Sequence, residues 1–135
     1  MRIDGQCHCG HVRYKAEIDP GNVVICHCTD CQQLTGSAFR VTAITPTVNV
    51  TLTAHPPKIY RKYGDNGRAR LQSFCPECGS PLFTTGEDED AAITGIRVGT
   101  IDQRRELVPT RQIWCRSALS WLGDVAGLRG ADGDS

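Results

Sequence analysis

Seven of the eight cysteines in this 135-residue chain fall into three tight clusters. They read Cys7-x-Cys9, Cys26-x-Cys28-x-x-Cys31 and Cys75-x-x-Cys78, with Cys115 alone beside Trp114. No apolar signal-peptide core is visible near Met1, so a reducing, cytoplasmic setting is expected. There, clustered cysteines bind metal or do thiol chemistry more often than they form disulfides. In Cys75-Pro76-Glu77-Cys78-Gly79 one tight turn can aim two sulfurs at one ion, and the glycine relieves the backbone where it reverses. Cys7-His8-Cys9-Gly10 is a tighter form of the same device. A structural zinc takes four ligands in a tetrahedron. The pairing expected is therefore Cys7 and Cys9 with Cys75 and Cys78.

That leaves Cys26, Cys28 and Cys31. The first two share a face of a strand, and the third opens a short helix. Three ligands without an obvious fourth describe an open zinc, the kind that holds water or substrate. A second structural zinc closed by Cys115 or His27, and a triplet without metal, remain alternatives. A thioredoxin-type pair is not expected, because no βαβ unit surrounds Cys28 and Cys31. His8 and His27 alternate with ligands and should point outward. His11 and His55 belong to no pattern. Cys115 is expected to be a small buried hydrophobe.

Lys plus Arg equal Asp plus Glu, 15 each, so a general nucleic-acid surface is not expected. No run approaches the roughly 18 apolar residues of a membrane span. With only eight aromatics, the core lacks large anchors, and metal cross-links would supply part of the missing stability.

The body reads as mainly β. Strands are expected over 12–18, 23–26, 39–44, 48–52, 82–85 and 93–99, with a hairpin joining 59–63 to 69–74 across Gly64-Asp65-Asn66-Gly67. Glu87-Asp88-Glu89-Asp90 reads as a solvated loop. One short helix is expected over 29–36, capped by Thr29 or Asp30 and ended by Gly36. A second is expected over 117–122. A single domain over 1–126 and a frayed tail over 127–135 complete the expected organisation.

The sequence resembles the glutathione-dependent formaldehyde-activating enzyme family, which includes centromere protein V. The matching residues are Gly5-Gln6-Cys7-His8-Cys9-Gly10, Cys26-His27-Cys28-Thr29-Asp30-Cys31 with Thr35-Gly36-Ser37, Phe74-Cys75-Pro76-Glu77-Cys78-Gly79, Gly99-Thr100-Ile101-Asp102 and Ile113-Trp114. The resemblance implies a β-tent of small antiparallel sheets. It also implies two zinc ions per chain, divided as the ligand count divides them. By the same resemblance, Cys26, Cys28 and Cys31 act catalytically through the second zinc, where the thiolate of glutathione meets formaldehyde. The implied activity is that of a carbon–sulfur lyase acting on an S-hydroxymethylglutathione-type adduct. Its partners are a small thiol and a small aldehyde, with no nucleic acid or membrane, in a monomer or homodimer. A zinc-stapled module that binds glutathione or a protein without turnover is the alternative. Many members carry Arg after the third cysteine of the triplet, whereas this chain has Gln32. That exchange is expected to remove a cation from the site.

Overall fold

A computed structural model describes residues 1–134, so Ser135, the end of the expected tail, lies outside the described residues. Among the described residues ten strands form two sheets, accompanied by one α-helix. The small sheet joins β1 (Arg2–Gln6), β2 (Arg13–Glu17) and β5 (Val50–Leu52), with β2 in the middle. The large sheet holds β3 (Val23–Cys26), β4 (Arg40–Pro46), β6 (Lys58–Tyr63), β7 (Ala69–Phe74), β8 (Pro81–Thr85), β9 (Ile93–Arg97) and β10 (Arg111–Ile113). Its order is β10-β3-β4-β9-β8-β7-β6.

Register explains the core. Val23 lies opposite Ala43, Ala43 opposite Ile96, and Ile96 opposite Phe83. Paired residues share a face, so these four make an apolar row across the large sheet. Ile3, Tyr14 and Ala16 of the small sheet join the same buried cluster, with the Tyr14 and Phe83 rings meeting edge to face at 4.9 Å. Cys7 and Cys75 are buried in that cluster too. The expected 59–63/69–74 hairpin is present as β6 and β7.

Four expectations need correction. The sheets are not wholly antiparallel, since β10 runs parallel to β3. Residues 48–52 divide into a 3-10 turn and the short strand β5. The expected strand over 93–99 stops at Arg97, because Val98–Thr100 winds into a 3-10 turn. No α-helix spans 117–122; 3-10 turns occupy Cys115–Ser117 and Leu122–Gly127 instead. Ala118, Leu119 and Trp121 are exposed there, so no buried apolar face supports an α-helix, and single turns are too short to sustain one alone.

Tyr14 depends on a glycine. It lies opposite Gly5, and a Cβ at Gly5 would overlap its ring and hydroxyl. The hydroxyl donates to Thr100 Oγ1 at 2.7 Å, and the Thr100 hydroxyl in turn donates to the Arg97 carbonyl. Gly5→Ala is therefore expected to destabilise the zinc-loaded protein by about 1–3 kcal/mol, the usual range for overpacking. Urea unfolding measures it, and an unchanged midpoint would refute the packing argument.

Candidate metal centres and their surroundings

The structure gathers the cysteines into two groups, Cys7, Cys9, Cys75 and Cys78, and Cys26, Cys28 and Cys31. Within each group the sulfurs lie within 4.8 Å of one another. Both groupings match the sequence expectation.

The first group joins the turn after β1 to the turn between β7 and β8. Gly10 (φ 82°) and Gly79 (φ 79°) close the two turns in left-handed conformations that favour glycine. The Val12 N–H points at Cys7 Sγ (3.3 Å), and the Glu77 and Cys78 N–H groups point at Cys75 Sγ (3.3 and 3.4 Å). Such donors stabilise thiolate over thiol. Cys9 Sγ stands 3.7 Å from both Cys7 Sγ and Cys75 Sγ. Four sulfurs about 2.3 Å from a tetrahedral zinc are separated by roughly 3.8 Å, and these two spacings match that ion. Ser80 braces the rim, with its hydroxyl accepting from the His8 N–H at 3.0 Å and lying 3.2 Å from Cys78 Sγ. That contact draws the Cys78 thiol down to about 5.

The triplet forms where β3 passes into α1 (Thr29–Thr35). The helix starts and ends near the expected points, but its cap is Cys28 rather than Thr29 or Asp30. The Cys31 N–H donates to Cys28 Sγ at 3.3 Å. One sulfur thus serves both helix and cluster. A bond shared with Cys31 draws the Cys26 thiol down to about 5 against the effect of burial, helped by the Cys28 backbone and sulfur and the charge of Arg40. The same bond, with burial, pushes Cys31 up.

His27 is buried, not exposed as expected. Its Nε2 meets Gln112 Oε1 at 2.7 Å and its N–H donates to the Ile113 carbonyl at 3.1 Å, so β10 covers it. Cys115 is exposed and lies outside both metal groups. His8 is exposed as expected. His11 and His55 stack with ring centroids 4.2 Å apart, a pairing that no spacing rule anticipates.

Gln32 donates from one amide nitrogen to the carbonyls of His27 (2.9 Å) and Ser117 (3.0 Å), fastening the C-terminal segment over the triplet. Gln32 brings no charge to the site, but Arg40 supplies a cation from β4. It lies directly across from Cys26 in the β3/β4 register and is only 4% exposed. Sequence reasoning missed it; the one available sign was that Arg40 and Thr42 alternate with apolar Val41 and Ala43. On the other side, Cys28, Asp30, Lys62 and Trp114 line a cavity of about 170 Å³. Lys62 pairs there with Asp30. Trp114 holds a left-handed backbone (φ 56°), unusual for a bulky residue and a kind of strain that collects at working sites.

A family model described as glutathione-dependent formaldehyde-activating enzyme matches residues 2–117. A crystal structure of a Rhodobacter sphaeroides protein, solved as a structural genomics target, superposes with a TM-score of 0.62. It is 19% identical, and the match covers 81% of this chain and 98% of that one. At that identity the likeness speaks for the fold. Among the described residues, no helix is long and apolar enough to cross a membrane.

Proposed function

Because the chain belongs to the glutathione-dependent formaldehyde-activating enzyme family, we propose that it forms and cleaves the carbon–sulfur bond of a thiol–formaldehyde adduct at the Cys26–Cys28–Cys31 triplet. The observation that carries this reading is the contrast between two cysteine groups. One has four sulfurs, with Cys7 and Cys75 in the core and Cys9 and Cys78 exposed; the other has three half-buried sulfurs, and its Cys28 lines a cavity. Cys7, Cys9, Cys75 and Cys78 would hold a structural zinc, and Cys26, Cys28 and Cys31 an open one. When bound, the second zinc would supply a position at which a substrate thiol is held as thiolate near neutral pH.

The chain's own residues have defined tasks in this account. Cys28 holds the start of α1 and thereby the spacing from Cys26 to Cys31. Gln32 ties the Ser117 carbonyl to the start of α1, and β10 lies alongside β3 next to the cluster. Arg40 offsets the negative charge that thiolates accumulate. In the forward direction sulfur bonds to the carbonyl carbon, and the proton given up by the thiol ends on the new hydroxyl. Cleavage reverses both changes. The thiol is glutathione and the aldehyde is formaldehyde.

Exchange NMR of glutathione, formaldehyde and S-hydroxymethylglutathione at equilibrium tests this. Catalytic amounts of zinc-loaded protein are expected to raise the exchange rate above the spontaneous rate in proportion to protein. Saturable glutathione binding with no change in exchange would replace the enzyme by a glutathione-binding module.

A further inference from the structure

The large sheet has a second face, and its membership follows from register. Cys26 lies opposite Arg40, Thr42 opposite Arg97, Gly95 opposite Thr84, and Thr84 opposite Gln72. Residues two apart on a strand return to the same face, so Arg40, Arg70 and Arg97 all rise on the face of the large sheet that carries Cys26. Side-chain contacts agree. Arg40 Nη1 and Arg97 Nη2 both donate to Gln72 Oε1, at 3.3 and 2.6 Å. Arg70 Nη2 and Gln72 Nε2 both donate to Thr84 Oγ1, at 3.4 and 3.2 Å.

These arginines lack an acid. The ion pairs among the described residues are Met1 and Arg2 with Glu17, Arg61–Glu87, Lys62–Asp30 and Arg68–Asp90, none of which includes them. Arg40 is 4% and Arg97 9% exposed, yet Arg40 Nε, Arg40 Nη2 and Arg97 Nε have no hydrogen-bond partner. Burying guanidinium groups this way is costly unless something negative arrives. Burial, then the neighbouring charges of Arg40 and Arg70, lowers Arg97 to about 9. The triplet answers only part of this charge. Three thiolates around a divalent ion carry one net negative charge against three guanidinium groups. Arg40 and Arg97 line a cavity of about 550 Å³ together with Thr35, Phe39, Ser80 and Thr100, which is within the size range of small-molecule sites.

We propose that Arg40 and Arg97, with Arg70 behind them, are an oxyanion receptor that holds a carboxylate of the substrate thiol while its sulfur faces the triplet. The protein thereby selects acidic thiols over neutral ones. A bound thiolate raises the negative charge to two, and one carboxylate then balances the three guanidiniums. Planar forked donors suit a carboxylate's paired oxygens. This inference rests on the function proposed above, because it takes the triplet as the place where sulfur sits.

Calorimetry on zinc-loaded protein with S-methylglutathione tests it, since that probe keeps its carboxylates but has no free thiol. Wild-type protein is expected to bind the acid at least tenfold more tightly than its dimethyl ester, with affinity falling as sodium chloride is raised. Arg97→Met should weaken acid binding at least tenfold and leave the weak ester binding unchanged. Equal affinities for acid and ester, or no binding of the acid at millimolar concentration, would overturn the proposal with wild-type protein alone. Unchanged acid binding by a folded Arg97→Met would do the same. The exchange assay separates this from the proposed function. Acid-selective binding without accelerated exchange removes the reaction and keeps the receptor. Accelerated exchange without acid preference does the reverse.

Discussion

Cys75→Ser is expected to leave the chain without a stable fold. Cys75 is fully buried within the hydrophobic cluster, and its sulfur receives two backbone N–H groups and stands 3.7 Å from Cys9. Its own N–H donates to the Ser80 carbonyl at 3.0 Å, so the residue fixes the reversal from β7 to β8. Structural zinc contributes about 10–16 kcal/mol in small zinc domains. Domain stability is typically about 5–15 kcal/mol. Losing one of four ligands therefore removes an amount comparable to the whole stability. Collapsed amide dispersion in the NMR spectrum and zinc content well below wild type are the expected results. A folded variant melting within a few degrees of wild type would show that this group is not the structural one.

Cys28→Ser is expected to behave in the opposite way. Serine is among the preferred helix N-caps, and its oxygen can accept from the Cys31 N–H as the sulfur does, so α1 should persist. A neutral hydroxyl is a poor zinc ligand, so the triplet should lose its ion. Zinc should fall from two per chain to one, with little change in melting temperature. Adduct exchange should fall at least about 100-fold, the upper end of what altering an outer partner of a metal ligand costs. If Cys28→Ser unfolds the chain and Cys75→Ser does not, the two groups have been assigned the wrong way round.

What the sequence revealed follows from how local each signal is. The two knuckles, β3, the β6/β7 hairpin and the limits of α1 are written in neighbouring residues, as spacing, β-branched runs and turn glycines. β1 went unseen because its inward positions are Ile3 and Gly5, and the glycine stands where Tyr14 needs room. β10 is exposed along its length and pairs parallel to β3 from far along the chain, so no alternation marks it. His27 was misjudged because strand alternation ignores what a later segment lays over it. The guanidinium face was invisible for the same reason. Arg40, Arg70 and Arg97 are unremarkable charges in sequence and neighbours only through the β3-β4-β9-β8-β7 register. Cys115 looked like core by residue type, yet its short 3-10 turn leaves it at the surface.

Zinc analysis with zinc-edge X-ray absorption on reduced protein, before and after glutathione, tests the central claim most directly. Two zinc ions per chain are expected, with four and three protein sulfurs. Added glutathione should raise the mean sulfur coordination from about three and a half to four, as the open ion gains a thiolate. A single zinc, or two closed sites that do not respond to thiol, would contradict the account.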